Sequence, residues 1–114
     1  MQKVFGFDKR IRYCAILDEM GRVAGGGMRP GVQSLEPREE EERVDIQMVV
    51  ARGMSDAAHP YLGKTDYVIV HRDRLMLIAF PRRGGKTLLV SAEPNFPLGR
   101  VGALAKVVDE NCPK

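Results

Sequence analysis

The order of strand-like and helix-like segments constrains the fold of this chain more than any single motif does. A strand pair around residues 11–26 precedes one long helical segment from about Glu39 to Leu62. Three strand-like runs then lie between Asp66 and Ala92, and a short amphipathic helix lies near Leu98–Val108. These assignments rest on apolar runs bounded by turn residues and on apolar residues spaced three and four apart. The order predicts an α+β fold with five strands, because strands and helices are grouped and do not alternate regularly.

The size and composition indicate a single globular domain, residues 1–114, since domains commonly hold about 100–150 residues. Hydrophobic residues make up 44% of the chain, yet no run of about 18 apolar residues predicts a membrane span. Charged residues in the first ten positions argue against a signal peptide, so we expect a cytoplasmic protein. Cys14 and Cys112 are therefore interpreted as two free thiols and not as a disulfide or a metal site.

The long helical segment has an unusually wide apolar face. At 100° per residue, its apolar residues cover an arc of about 160°, more than one sheet face needs. The arc contains Val44, Ile46, Val50, Ala51, Met54, Ala57, Ala58 and Leu62. Met48 and Val49 lie outside this arc, on the polar side or its borders. We expect the arc to cover the sheet, and we expect Met48 and Val49 to contact a partner.

A glycine-dense segment after the first strand pair is the clearest candidate for ligand binding. Gly25, Gly26 and Gly27 precede Arg29, so backbone amides and a guanidinium group are close together for an anion. The alternative is a bulged strand end where glycines relieve steric crowding, and that interpretation is favoured. The spacing does not match a dinucleotide-binding fingerprint.

No cluster of residues predicts catalysis, a cofactor or a metal. Gly85-Lys86-Thr87 matches the end of a P-loop, but Phe80 replaces the required glycine and a strand follows in place of a helix. His59 and His71 have no Cys, Asp or Glu at ligand spacing within a supporting element. Cys14 lies mid-strand, where burial disfavours the reactive thiolate. We therefore expect no enzyme activity, no cofactor and no metal.

The net charge of +3 is unevenly distributed. Residues 32–63 carry seven acidic and three basic side chains, whereas residues 64–106 carry eight basic and three acidic ones. Such asymmetry favours self-association or a charged partner. The basic residues of the last two hairpin turns lie at opposite ends of the predicted sheet, and few aromatic residues accompany them. Nucleic acid is therefore an improbable partner.

The element order resembles that of roadblock/dynein light chain-type domains, which are close to the longin and profilin-like folds. This resemblance covers nearly the whole chain and lies in topology. A second similarity rests on short motifs, namely Ile11–Asp18 with Gly21, Ala24-Gly25-Gly26, Arg29-Pro30-Gly31, Leu62-Gly63, Phe80-Pro81 and Val90-Ser91-Ala92-Glu93-Pro94. These motifs resemble a family of short, uncharacterised archaeal proteins.

The roadblock resemblance implies a five-stranded antiparallel sheet in the order 2-1-5-4-3. The long helix would cover one face, and the short terminal helices would cover the other. Such domains pair through the third strand and the long helix into a ten-stranded sheet, and they bind small GTPases, motor complexes or scaffold proteins. The implied dimer interface consists of Met48, Val49, Arg52, Tyr67 and Ile69.

The leading hypothesis is a non-enzymatic homodimeric interaction module that acts as a scaffold or a regulator of small GTPases. The alternative is a small-molecule or anion sensor of profilin-like fold. Its pocket would lie between the sheet and the long helix, near Gly25–Arg29 and His59–Tyr61. An enzyme is the least favoured of the three.

Overall fold

A computed structural model describes residues 1–56 and 59–114 of the chain. The helices are α1 Gln2–Phe7, α2 Arg38–Asp56, α3 His59–Leu62 and α4 Val101–Asn111. The strands are β1 Ile11–Leu17, β2 Val23–Met28, β3 Val68–His71, β4 Met76–Pro81 and β5 Thr87–Ala92. The predicted long helix is thus confirmed over α2, while Ala57 and Ala58 of its apolar arc lie outside the described residues.

The five strands form one antiparallel sheet in the order β2-β1-β5-β4-β3. The α+β class and the predicted order 2-1-5-4-3 are therefore confirmed. Val90 at the centre of β5 pairs with Cys14 on one side and with Ile78 on the other. Every residue of β5 is buried, as expected for a central strand covered on both faces. β2 and β3 form the two edges.

Side-chain alternation along the strands divides the core into two layers. In β5, Leu88 and Val90 join the layer beneath α1 and α4, whereas Leu89 joins the layer beneath α2. The first layer is the larger and includes Val101, Leu104 and Val108 of α4. The predicted apolar stripe of the closing helix is confirmed at these positions. The long helix covers one face of the sheet and the terminal helices cover the other, which is the layering that the roadblock resemblance implies.

The predicted orientation of the long helix is wrong. Met48 is only 3% exposed and packs in the layer beneath α2, although it was expected to face outward. Ile46, Val50 and Met54 were expected to face the sheet but are 48%, 54% and 73% exposed. The helix has a second stripe at positions 41, 44, 45, 48 and 52, spaced at i, i+3, i+4, i+7 and i+11, and this stripe faces the sheet. The prediction identified the apolar face of Ile46, Val50 and Met54 correctly, but this face is exposed and does not pack on the sheet.

Candidate functional site

The β3 edge of the sheet is apolar and open. Within the described residues β3 pairs only with β4, so its other side presents unpaired backbone groups. Val68, Ile69 and Val70 are half-buried, and no proline or lysine lies in the strand to discourage a further strand. Exposed edges of this kind are templates for pairing with another chain. The edge is therefore a candidate interaction surface.

The outer face of α2 exposes a row of apolar side chains, which we call the outer stripe: Ile46, Val50 and Met54. The stripe crosses the helix obliquely. Ile46 lies against Gly21 in the β1–β2 turn, because a Cβ atom built on Gly21 would be 2.9 Å from the Ile46 side chain. At the other end, Ser55 beside Met54 shares a 2.9 Å hydrogen bond with Thr65, which precedes β3. The Val50–Met54 half of the stripe is thus the half nearer to the β3 edge.

The predicted dimer residues occupy three different environments. Met48 is buried beneath its own helix, so it has no surface to offer a partner. Val49 is half-buried against the same layer, and Arg52 is half-buried on the sheet side of α2. Tyr67 and Ile69 lie at the edge strand and pack partly on the opposite layer, with the Tyr67 ring 6.0 Å from that of Phe80. The structure therefore groups Tyr67 and Ile69 at an edge but separates them from Met48.

The predicted anion loop is part of a strand. Gly25, Gly26 and Gly27 belong to β2 and pair with β1, where the register shifts at a bulge near Leu17. Gly26 has φ +86°, and a Cβ atom at this position would overlap the carbonyl oxygen of Cys14. Close approach of two backbones therefore explains this glycine, which agrees with the structural alternative.

Arg29 binds backbone carbonyl groups and is not a free ligand for an anion. Its guanidinium group donates hydrogen bonds to the backbone carbonyls of Ile11, Phe5 and Asp8, and it stacks over the Phe5 ring 5.1 Å from the centroid. These contacts fasten α1 to the end of β2. Because its donors point at backbone carbonyls, the predicted cooperation of Arg29 with the glycine amides is not formed.

Comparisons with known proteins identify the architecture. No protein-family model matches the chain, and no curated protein matches it. Among solved structures, the Roadblock/LC7 domain from Streptomyces avermitilis is 17% identical and superposes with a TM-score of 0.67, covering 97% of this chain and 92% of that one. The gliding protein MglB from Thermus thermophilus is 16% identical, with a TM-score of 0.68 and coverages of 96% and 85%. The chain has the roadblock-type fold.

A third match with this fold is described as MglB with a tetrameric arrangement, at 17% identity, a TM-score of 0.68 and coverages of 96% and 85%. At such identities the likeness is one of fold. In this structure α2 contacts β3, so the long helix and the edge strand are neighbouring elements. The similarity to short archaeal proteins stays a prediction.

A cavity with an acidic lining lies between α2 and the sheet of the roadblock-type fold. The sequence predicts a pocket between these elements but not its acidic lining, and of Gly25–Arg29 and His59–Tyr61 only Met28 lines it. The cavity has an accessible volume of about 40 Å³. Its walls are Arg12, Tyr13, Met28, Ser34, Leu35, Glu36, Glu41, Val44, Asp45, Leu75, Leu77, Leu89 and Ser91. The helical pattern places Asp45 opposite the apolar arc, but it is only 6% exposed. No hydropathy signal indicates an inward aspartate; only the helical spacing of Asp45 from Glu41 and Met48 places it on the buried stripe.

Burial and like charges act together on Asp45. Desolvation, followed by the charges of Glu41, Glu36 and Glu42, raises the pKa of Asp45 from 3.8 to about 7. Burial also raises the pKa of the neighbouring Tyr13 phenol, with Asp45 as the second cause. A carboxyl group in this position is poised between its charged and neutral forms near neutral pH.

The remaining candidate groups are the two cysteines and the buried Arg82. Both cysteines are free thiols, as predicted, and burial raises the pKa of Cys14 to about 12. Among residues 1–56 and 59–114, no group of three or more His, Cys, Asp or Glu side chains is arranged to hold a metal ion. In the same residues no helix is both long and apolar enough to cross a membrane.

Arg82 is buried and donates hydrogen bonds to Asp109 and to the carbonyl of Cys112, which fastens the β4–β5 turn to α4.

Proposed function

We propose that this chain is a non-enzymatic interaction module that forms a homodimer and serves as a scaffold or as a regulator of a small GTPase. The observation that carries the proposal is the outer stripe of α2, which exposes Val50 and Met54 beside the open β3 edge. Contiguous exposed apolar side chains on a soluble fold mark interaction sites. A second copy is the partner that can satisfy both surfaces at once, because two identical edges pair about a two-fold axis.

The pairing would extend the sheet from five strands to ten and bring the two α2 helices side by side. Backbone hydrogen bonds between the two β3 strands would fix their register. Tyr67 and Ile69 would contact the same residues of the second copy there. The Val50–Met54 half of the outer stripe would be buried between the helices. The match described as a tetrameric arrangement of MglB supports self-association of proteins with this fold. We retain Tyr67 and Ile69 as interface residues and replace Met48 by Val50 and Met54.

Light scattering coupled to size-exclusion chromatography tests the homodimer. At about 50 µM we expect twice the protomer mass of 12.7 kDa. Val50→Glu and Met54→Glu are each expected to give a monomer with an unchanged circular dichroism spectrum, because both side chains are exposed in the protomer. Leu98→Glu is the matched control, since Leu98 is exposed on the layer away from α2. A monomeric wild-type protein would contradict the homodimer, and equal dissociation by Leu98→Glu would contradict the assigned interface.

The further partner is inferred from the resemblance to roadblock domains, which implies a small GTPase or a scaffold protein. We place the module in the cytoplasm, in line with its two unpaired thiols. Affinity capture from the native host with wild-type protein is expected to enrich a GTPase, and capture with Met54→Glu is expected to lose it if the dimer is required. Absence of any GTPase from repeated captures would contradict this part of the proposal.

A further inference from the structure

Asp45 is a buried carboxyl group without a direct partner. It is 6% exposed, and no described residue donates a hydrogen bond to it or forms an ion pair with it. The causes that act on its pKa are burial and three carboxylates, with no cationic group among them. The oxygens of Asp45 are not among the fully enclosed side-chain atoms without a partner in the described residues, so they are open towards the cavity and a ligand can reach them. Asp45 lines the cavity beneath α2, which is where that partner would sit.

The charges around the cavity specify the sign of the partner. Glu36 and Glu41 share the lining with Asp45, and Glu42 lies on the same turn of α2. Among the described residues of the lining, the single cation is Arg12, which donates to Glu93 and to the carbonyl of Gln33. Arg38 at the rim is 3.7 Å from Glu42. The charges that line the cavity therefore favour a cation over an anion.

The shape and the walls specify the chemical class. An accessible volume of about 40 Å³ exceeds the 10–15 Å³ that one water requires, and it suits a small head group. Leu77 and Leu89 give the cavity an apolar floor. Tyr13, Met28 and Asp45 also line a wider groove of about 860 Å³ on the β2 side, which offers room for a longer chain. A ligand with a positively charged head group and an aliphatic tail fits the cavity and the groove together.

We propose that this cavity binds an organic cation, an alkylammonium or guanidinium group, with Asp45 as its counter-ion. The head group lies beside Asp45 and Glu41, and its aliphatic tail runs along Met28 and Ile46 into the groove. The ammonium or guanidinium group supplies the donors that the Asp45 oxygens lack. The same chemistry is offered by a free amine and by a lysine or arginine side chain of a protein.

Binding is coupled to a proton and is separate from dimer formation. Because the pKa of Asp45 is about 7, the cation displaces a proton below that pH. The apparent affinity is therefore expected to be about tenfold weaker at pH 6 than at pH 8. The groove lies on the β2 side of α2, whereas the proposed homodimer uses the β3 edge at the other end of the sheet. Loss of the dimer through Met54→Glu is therefore expected to leave cation binding intact.

Nuclear magnetic resonance titration tests the site directly. The probes are n-butylammonium chloride and agmatine as free cations, and N-acetyl-lysine methylamide as the mimic of a protein side chain. We expect saturable shifts at the amides of Tyr13, Met28 and Asp45. Neutral n-butanol and sodium chloride at equal ionic strength are expected to give none. Tighter binding of the lysine mimic assigns a protein source, and tighter binding of the free cations assigns a metabolite.

Asp45→Asn is the decisive variant, because it keeps the shape and removes the charge. We expect it to weaken binding of n-butylammonium at least tenfold, and Glu41→Gln, which keeps the aspartate, to weaken it several-fold. Glu39→Gln is the matched control, because it removes one charge from an exposed position of the same helix. Equal binding by Asp45→Asn, or saturable shifts with n-butanol, would overturn the proposal. Unchanged spectra with all three cationic probes would overturn it as well.

Discussion

The Asp45 carboxyl group links the stability of the protein to pH. Its pKa is about 7 in the folded state and near the ordinary value of 3.8 when unfolded. Below pH 3.8 both states hold the proton. Between these two values the folded state keeps a proton that the unfolded state has lost, so the free energy of unfolding falls as pH rises. Above pH 7 the full penalty, on the order of 2–4 kcal/mol, is present.

Asp45→Asn is expected to remove this penalty. We expect the variant to be more stable than wild type by about 2 kcal/mol at pH 8 and nearly equal to it at pH 4, because only the charged carboxylate is costly to bury. Urea unfolding followed by circular dichroism at pH 4, 6 and 8, below the concentration at which the protein dimerises, measures the difference. If the wild type and Asp45→Asn change in parallel over this range, Asp45 is not the linked group.

Gly26 makes a backbone contact that no other residue can make without strain. A φ of +86° is unfavourable for any residue that has a Cβ atom. The backbone of β1 also excludes a side chain, because a Cβ atom on Gly26 would lie 2.9 Å from the Cα atom of Ala15. We expect Gly26→Ala to lower the free energy of unfolding by about 2–4 kcal/mol. Gly25→Ala is the matched control in the same strand, because its Cβ atom would meet nothing within 4 Å. Chemical denaturation measures the free energy of unfolding of both variants. Equal losses of stability would contradict this explanation of Gly26.

At the scale of the element, α2 exposes an apolar outer stripe and packs a mixed stripe, which contains Asp45 beside Val44 and Met48, on its own sheet. Met48 and Met54 differ in environment but not in chemistry, since one is 3% and the other 73% exposed. Met48→Ala is expected to cost about 2–4 kcal/mol of protomer stability, because it leaves a cavity in the layer beneath α2. Met54→Ala is expected to change protomer stability by less than about 0.5 kcal/mol.

Chemical denaturation at low protein concentration checks this pair of methionines. Met54→Ala is also expected to weaken self-association, which Met48→Ala affects only through the stability of the protomer. Analytical ultracentrifugation separates these two effects. Equal losses of protomer stability in the two variants would contradict the observed orientation of α2.

Sequence reasoning succeeded where one pattern has one structural solution. The all-apolar run at 75–80 predicts a strand covered on both faces, and β4 is buried at all but its last position. The largely apolar run Ile11–Leu17, which is followed by the turn at residues 18–21, predicts a strand with the limits that β1 has. The order of the strands followed from the resemblance in topology, and the structure confirms it.

The orientation of α2 could not be predicted in the same way. A hydropathy pattern reports which side chains avoid water, but not whether the sheet or a second molecule covers them. Ile46, Val50 and Met54 are more apolar as a set than Val44, Asp45 and Met48, so counting apolar residues selects the outer stripe. The inward position of Asp45 is set by tertiary contacts, which one sequence does not encode at the level of residue type. The candidate cation site was missed for the same reason.

At the scale of the whole molecule, charge is separated along the proposed dimer interface. Residues 39–42 at the start of α2 are all glutamates, whereas His59 and Lys64 lie around its far end. Two-fold pairing of α2 helices about Val50 and Met54 is antiparallel. It brings the acidic start of one helix towards the basic end of the other. Complementary charge of this kind favours the correct register and speeds association.

The salt dependence of dimerisation is the test of that charge complementarity. Raising sodium chloride from about 50 to 500 mM shortens the Debye length to a few ångströms, so exposed charge pairs lose most of their attraction. We expect the dimer dissociation constant, measured by sedimentation equilibrium, to rise about three- to tenfold. Lys64→Gln is expected to flatten this dependence, whereas Lys3→Gln on α1, in the opposite layer, is expected to leave it unchanged. A dissociation constant that is constant or falls with salt would show that apolar contacts alone hold the dimer.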